Sequence, residues 1–414
     1  MQIALDSPGK KILTLGLALV ATAAYLTLAA RRFAASQFAR GELRSIETAL
    51  RLDPENAQYH DMLGQLFFVQ QPERALEQFR IAAGLNRYDA HYRLHLAKAA
   101  GLLNRDAEQK TALRQAVDAD PKTPDIAWEA ANFSLASGDT ESALREFRVV
   151  VEGAPNLAYQ ALERCTRVVD AGTVLRQVVP PRPAALLAFI DLLTTQNNLP
   201  AAANAWEALV RLGDRVDLDR ALQYINHLTL QHDVTQARKV WTQTLQLNGM
   251  SSYLTGSDNL VVNPSFEFDI LNGGFDWRYR RRASVELSLD PSEFHAGRRS
   301  LAVSFDGPGI SDAGISQLIP VEPDTDYVFS AHFKAENIDG AGGPRFAIED
   351  AYSGTHYFES DDLKNSGVWR EVSGQFRTPA GAQLLLLRLL RIPQDSPIRG
   401  KLWVDNFRLV EKQP

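Results

Sequence analysis

The sequence predicts a multidomain protein of class α then β: an N-terminal transmembrane helix, a helical-repeat solenoid and a C-terminal antiparallel β-sandwich. Three observations predict this order: an uncharged apolar run near the N-terminus, a helical phrase that recurs about every 34 residues, and a change after Asn259 to short alternating segments separated by Gly, Pro, Asn and Asp. The predicted divisions are 1–32 for the tail and transmembrane helix, 33–250 for the repeats, 251–258 for a linker and 259–412 for the sandwich. A chain of 414 residues is long enough for such domains to bury their own cores.

The apolar run is Ile12–Ala30, which has no charged residue and is bracketed by Lys10-Lys11 and Arg31-Arg32. As a helix it would rise about 28 Å, close to the hydrocarbon thickness of a bilayer. We therefore predict an uncleaved single-pass anchor. Two alternatives stay open: a secretory signal cleaved at Ala21-Thr22-Ala23, and a helix buried in a soluble core. The short N-terminal tail favours a periplasmic or extracytoplasmic location for the rest of the chain.

Charge and cysteine content exclude some classes of protein. The chain has 44 basic and 50 acidic residues, so no overall positive field would attract nucleic acid, and no nucleic-acid partner is expected. The single Cys165 cannot form an internal disulfide. A reducing compartment and a bacterial envelope both remain compatible with that composition.

The recurring phrase in the helical part ends in proline. It reads Ala-Leu-Arg-Leu-Asp-Pro at 49–54, Ala-Val-Asp-Ala-Asp-Pro at 116–121 and, weakened, Val-Val-Glu-Gly-Ala-Pro at 150–155. The intervals of 67 and 34 residues are two periods and one period of the same repeat. Since proline cannot continue a helix, each copy marks a helix end.

Small and aromatic residues precede each copy of the phrase. Ala75 and Ala143 allow two helices to approach closely, and Phe79 and Phe147 fill the space between neighbouring pairs. On these residues the chain resembles tetratricopeptide repeats, most clearly over 36–155. The resemblance implies stacked helix pairs with a surface that binds a protein or peptide partner.

Weaker repeats are predicted at 189–213 and 224–247. The segment Val179–Pro183 contains three prolines and interrupts the pattern, so we predict a break or kink in the stack there.

Eight short apolar segments follow Leu260 and predict the strands of a sandwich or jelly roll. They are 284–289, 300–305, 314–319, 327–335, 345–350, 370–376, 383–390 and 401–409. Leu384–Leu387 is apolar on both faces, which predicts a central strand.

Six motifs in a fixed order give this part a family resemblance. They are 263–267 (Asn-Pro-Ser-Phe-Glu), Trp277 after a Gly-rich turn, 295–301 (His-Ala-Gly-Arg-Arg-Ser-Leu), 317–321 (Gln-Leu-Ile-Pro-Val) before Asp326-Tyr327, Trp369-Arg370, and 402–407 (Leu-Trp-Val-Asp-Asn-Phe). With them, residues 259–412 resemble the jelly-roll carbohydrate-binding modules of families four and nine and their galactose-binding-like relatives. The resemblance implies a polysaccharide ligand, although relatives with this fold often bind no sugar.

Sugar recognition needs flat aromatic faces and planar polar groups. The candidate glycan-binding residues are Trp277, Tyr279, Arg345, Tyr352, His356, Tyr357 and Arg388. Arg388 interrupts an apolar alternation, so it either faces a ligand or reaches water from an edge. The basic run 278–282 either clamps an acidic polysaccharide or phosphate group, or is a solvated loop or protein contact.

The same resemblance implies a structural calcium ion where the first and last strands meet. Glu267 and Asp405 are the side-chain ligands that it implies, because calcium takes carboxylate and carbonyl oxygens. The alternative is that Glu267 caps a turn and Asp405 satisfies a tight bend. No other cofactor is expected.

No catalytic motif is recognisable in the sequence. It contains no G-x-S-x-G elbow, P-loop or H-E-x-x-H, and Gly307-Pro308-Gly309 lacks the third glycine of a dinucleotide fingerprint. We therefore expect a non-enzymatic, membrane-anchored scaffold in bacterial envelope polysaccharide assembly or export. Its repeats would bind a protein and its sandwich a glycan. The alternative is a purely protein-binding subunit of a membrane complex, in which the sandwich is a packing module without a sugar ligand.

Overall fold

The computed structural model describes residues 7–254 and 259–412. Most of the predicted linker, 255–258, and the first six residues of the predicted tail lie outside the described residues. The chain divides into two compact units, Met1–Pro180 and Pro181–Pro414. The division falls inside the proline-rich segment where the sequence predicts a break.

The first unit is helical. Its helices are α1 Pro8–Phe38, α2 Leu43–Leu52, α3 Ala57–Phe67, α4 Pro72–Leu85, α5 Ala90–Leu102, α6 Asp106–Ala119, α7 Pro124–Ala136, α8 Thr140–Gly153, α9 Pro155–Thr166 and α10 Ala171–Gln177. Asx side chains cap several N-termini, as where Asp139 accepts the backbone N–H of Ser142 at 3.1 Å.

Helix α1 joins the apolar run to the repeats without a break. Its apolar window is fully exposed, and it is long and apolar enough to cross a membrane, as a signal sequence would also be. Its last turns pack in the array, since Ala34 and Gln37 are buried and the Phe38 ring lies 4.8 Å from that of Tyr59. Arg31 lies 3.7 Å from Asp53, at the end of α2.

Small residues lie where the helices of a pair touch. Ala75 and Ala143 are fully buried. A Cβ on Gly64 would lie only 2.5 Å from Cε1 of Phe79, so α3 approaches α4 closely there. Because aromatic rings fill the remaining space, larger side chains at these positions would overpack the contact.

Ala143→Leu should therefore destabilise the helical unit by roughly 1–3 kcal/mol. The matched control is Glu141→Gln on the same helix, whose side chain is 84% exposed, and which should stay within about 0.5 kcal/mol. Chemical denaturation of both variants measures the difference. Equal free energies of unfolding would show that Ala143 is not at a tight contact.

Polar contacts join α3, α5, α7 and α9 along one face of the array. The His95 ring lies 2.7 Å from the Asp61 carboxylate, and Lys98 lies 3.1 Å from Glu129. Arg164 donates to the Asn132 amide oxygen at 2.8 Å. Each junction between repeats on this face is thus held by a polar pair in addition to the apolar core.

The second unit contains the remaining helices and all the strands of the described residues. The elements are α11 Pro183–Thr195, α12 Leu199–Val210, α13 Leu218–Leu230, α14 Val234–Leu247, β1 Arg278–Tyr279, β2 Val285–Asp290, β3 Ser300–Gly307, β4 Asp312–Pro320, β5 Asp326–Asp339, β6 Gly343–Asp350, β7 His356–Glu359, β8 Arg370–Arg377, β9 Leu384–Ile392 and β10 Ile398–Glu411. All eight predicted strands are present, and β1 and β7 are additional.

The strands form two antiparallel five-stranded sheets. Sheet A has the order β1-β4-β9-β6-β7, and sheet B has the order β2-β3-β10-β5-β8. The core lies between them and includes Phe329 and Leu402 of sheet B and Phe346 and Leu387 of sheet A. Strand β9 is central, as its apolar composition predicts. The predicted fold class, helices followed by an antiparallel sandwich, is confirmed.

Candidate functional site

The outer face of sheet A carries a row of five side chains, four of which are polar. The strand register aligns Arg278, Ser316, Arg388, Ala347 and Glu359 on β1, β4, β9, β6 and β7. Alternation sends their neighbours along each strand into the core, so this row faces away from it. At about 4.8 Å per strand, the row is about 19 Å long.

At the β6 side of this face, basic and acidic groups are balanced. Arg388 Nη2 lies 2.7 Å from Glu349, whose side chain is 4% exposed, and His356 Nε2 lies 3.2 Å from the same carboxylate. Arg345 contacts Glu359 at 2.6 Å and Asp362 at 2.7 Å. These pairs raise the pKa of Arg345, chiefly through the hydrogen bond to Asp362. Three predicted glycan-binding residues therefore already have protein partners.

At the β1 side, an open groove of about 370 Å³ lies over the same face. Its lining includes Arg278, Tyr279, Arg280, Arg282, Asp312 and Arg388. Four guanidinium groups thus line the groove with one carboxylate. Asp312 pairs with Arg282, which helps to hold the pKa of that carboxyl below its usual range although burial opposes this.

Arg278 has only uncharged acceptors. Its Nη2 donates to Asn226 Oδ1 and to the Gly274 carbonyl, both at 2.6 Å. Its Nε is buried and has no partner among the described residues. Burial lowers the pKa of this guanidinium.

The prediction that Trp277 stacks on a ligand is wrong. Its side chain is 2% exposed, and its ring lies 5.0 Å from that of Phe266 and 4.9 Å from that of Phe407. The indole N–H donates to the Asn263 carbonyl at 3.0 Å. Trp277 is therefore a core residue that contacts the Asn-Pro-Ser-Phe-Glu turn, and it is not an exposed loop aromatic.

The other predicted aromatic residues differ in exposure and in the protein contacts that their side chains already make. Tyr279 is 49% exposed and borders the groove. The Tyr352 hydroxyl donates to the Thr229 carbonyl at 2.8 Å, and its ring stacks 3.9 Å from that of His232. The Tyr357 hydroxyl lies 3.2 Å from Asp350. Tyr279 is thus the predicted aromatic residue best placed to contact a ligand in the groove.

The two implied calcium ligands accept hydrogen bonds from nitrogen. Asp405 Oδ2 accepts the N–H groups of His295 at 2.7 Å and Ala296 at 2.8 Å, and Oδ1 accepts that of Asn406. Glu267 accepts the backbone N–H and side-chain Nε of Arg298. All four oxygens thus accept from N–H groups, and Arg298 lies beside Glu267, so these carboxylates have partners other than a cation in this structure. Calcium binding itself stays a prediction.

Asp276 is a buried carboxyl group that sequence reasoning missed. Oδ2 accepts the Leu271 N–H at 2.7 Å, whereas Oδ1 is buried without a partner among the described residues. Burial raises its pKa to about 6. Since the folded state favours the protonated form, the stability that this group contributes is complete below about pH 4 and is lost as pH rises through about 6.

Asp276→Asn should therefore stabilise the sandwich by about 2 kcal/mol at pH 7.5, because it removes the buried charge and keeps an acceptor for Leu271. The gain should vanish near pH 4. Thermal unfolding of both proteins between pH 4 and 8 measures it. A gain independent of pH would contradict the buried-charge account.

Several groove residues were not predicted as site residues. Ser316, Asp312 and Arg282 come together with Arg278 only through the β1–β4 and β4–β9 register. The one sequence signal was the basic run 278–282, whose alternate members Arg278, Arg280 and Arg282 all line the groove.

Comparison with known proteins finds one family model that matches the sandwich part of the chain. Residues 258–390 match the family model of a carbohydrate binding domain. A search of curated proteins finds no match. Among solved structures, a CBM4 module is similar at 15% identity with a TM-score of 0.29, over 37% of this chain and 99% of that module.

Two further structures are similar to parts of the chain. The CBM22-1 xylan-binding domain of Xyn10C from Paenibacillus barcinonensis has 18% identity and a TM-score of 0.29, over 39% of this chain and 99% of that domain. MamA, which matches the helical part, has 16% identity and a TM-score of 0.31, over 38% of this chain and 88% of its own. The predicted resemblance to carbohydrate-binding modules is confirmed over residues 258–390, and the helix pairs of the first unit agree with the predicted repeats. Both kinds of domain are non-catalytic.

Proposed function

We propose that the protein is a membrane-anchored, non-enzymatic scaffold whose sandwich binds a glycan and whose helical repeats bind a protein partner. The setting proposed is bacterial envelope polysaccharide assembly or export, with both units outside the cytoplasm. The observation that carries the glycan part is the open polar groove on sheet A, in residues that match a carbohydrate binding domain. A groove that crosses several strands offers a long polymer more contacts than a closed pocket.

Glycan binding is tested by blocking this groove. Ser316 faces outward in the row between Arg278 and Arg388, so Ser316→Trp would fill the groove without removing a charge. The control is Ser373→Trp, an exposed position on β8 of sheet B. On a glycan array, the full-length protein in detergent should bind at least one glycan. Ser316→Trp should weaken that binding at least about tenfold, and Ser373→Trp should not.

Two results would contradict the glycan proposal. One is that the wild-type protein binds no glycan, and the other is that Ser316→Trp binds as well as wild type. The first would favour the packing-module alternative. That alternative is supported by Tyr352, whose hydroxyl and ring are already used against Thr229 and His232.

Membrane anchoring is supported by the continuity of α1. The exposed apolar part and the packed end belong to one helix of 31 residues, which would hold the first repeat directly at the bilayer surface. The intact protein should keep its N-terminal residues by mass spectrometry and stay in the membrane pellet after a carbonate wash. A mature N-terminus near Ala24, or release into the soluble fraction, would exclude the anchor.

A further inference from the structure

We propose that the glycan is anionic and that its acid groups are bound at the β1 side of the groove by Arg278 and Arg280. This inference rests on the proposed glycan-binding function and names the ligand class. It follows from the distribution of charge, the burial of one guanidinium and the character of the lining.

The charge across the outer face of sheet A is uneven. On the β6 side, Arg345 and Arg388 each contact a carboxylate within 2.7 Å. On the β1 side, Arg282 contacts Asp312, whereas Arg278 and Arg280 have no carboxylate partner among the described residues. The groove therefore carries two uncompensated positive charges next to a face that is otherwise neutralised.

Of these two arginines, Arg278 gives the stronger evidence for an anionic ligand. A desolvated cation without an opposite charge is unfavourable, and its pKa is lowered for that reason. The buried Nε has no acceptor among the described residues, and the same holds for Nε of Arg388, which lies two strands away in the row. An anion in the groove would supply the missing charge, and its oxygens would accept from the arginine N–H groups that face the groove.

The lining also differs from a surface for neutral sugars. Tyr279 is the aromatic side chain of this lining, while Trp277 is buried in the core and the Tyr352 ring stacks on His232. With four guanidinium groups and one ring, the groove offers ionic contacts in place of several stacking faces. The ligand chemistry is therefore a polysaccharide with carboxylate, sulfate or phosphate substituents.

The β-strand geometry favours a polymer over a single small anion. Arg278 and Arg388 lie two strands apart, so their backbones are about 10 Å from each other, with Ser316 between them. A small anion covers only part of this row, whereas a polymer with repeated acid groups can extend along all of it.

The test compares polygalacturonate with its fully methyl-esterified form, and dextran sulfate with dextran, on full-length protein in detergent. At least one anionic polymer should bind about tenfold or more tighter than its neutral counterpart. Arg280→Gln should weaken that binding about fivefold to tenfold. The matched control is Arg281→Gln, because Arg281 is exposed and does not line the groove, and it should change binding less than about twofold.

The outcomes separate this inference from the proposed function. Equal binding of neutral and anionic polymers, blocked by Ser316→Trp, would overturn the inference and leave glycan binding standing. Equal effects of the Arg280 and Arg281 variants would also overturn it, since general charge would then suffice. If inorganic phosphate competes for the groove as well, per charge, as the anionic polymer does, then the groove is a site for small anions and not for a polymer. If the protein binds none of these four polymers and no glycan on the array, both proposals are overturned.

Discussion

Trp277→Ala should unfold the β-sandwich or destabilise it by roughly 3–5 kcal/mol, the range for truncation of a large buried aromatic side chain. The ring packs between Phe266 and Phe407, and its N–H satisfies the Asn263 carbonyl. Loss of the indole would leave a cavity in the core and remove one of the two hydrogen bonds that the Asn263 carbonyl accepts. Urea denaturation followed by near-ultraviolet circular dichroism measures the change.

The control for this substitution is Tyr279→Ala, two residues along the chain. Its side chain is 49% exposed, so the free energy of unfolding should change by less than about 1 kcal/mol. Any loss of glycan binding in Trp277→Ala should accompany loss of the fold. A stable, well-packed Trp277→Ala variant that has lost only ligand binding would contradict the buried position.

The architecture could be predicted because both the helix pairs and the strands leave periodic patterns in the sequence. Proline-terminated phrases at a fixed interval give the helix pairs, and alternation gives eight strands within a few residues of their observed ends. The two-residue β1 and four-residue β7 were missed because they are too short to show alternation. Helices α11–α14, predicted as part of the array, lie in the same compact unit as the sandwich. The proline-rich segment predicted a break at this division, but the grouping of these helices with the sandwich depends on tertiary contacts.

The candidate site was only partly predictable. Exposure decides whether an aromatic residue can stack on a sugar, and local sequence gave the wrong exposure for Trp277. The pairing of Arg388 with Glu349 depends on the β6–β9 register, because the two residues lie 39 positions apart in sequence. By contrast, the basic run 278–282 was visible as a cluster, and its alternate arginines do line one groove. Site features formed by residues close in sequence could be predicted, whereas contacts between residues distant in sequence could not.

Asp405→Ala should destabilise the sandwich by about 3 kcal/mol through the loop between β2 and β3. Asp405 is fully buried, and its Oδ2 accepts the N–H groups of both His295 and Ala296. Removal of the carboxylate would take away the charged acceptor of these N–H groups, and a hydrogen bond to a charged group contributes about 1.5–3 kcal/mol. The control is Asp269→Ala, whose carboxylate is 93% exposed and whose loss should change stability by less than about 0.5 kcal/mol.

The same variant separates the two roles of Asp405. If the Asp405 carboxylate holds the loop by accepting its N–H groups, EGTA should leave the Tm of the wild-type protein unchanged. Asp405→Ala should still lower the Tm, because the substitution removes the acceptor. If Asp405 and Glu267 bind calcium, EGTA should lower the wild-type Tm and have little further effect on Asp405→Ala. The Arg298 side chain beside Glu267 favours the first result, since its guanidinium already supplies the positive charge that a calcium ion would otherwise provide. A calcium-dependent Tm in the wild type would require Arg298 to move away and would contradict the hydrogen-bonding role.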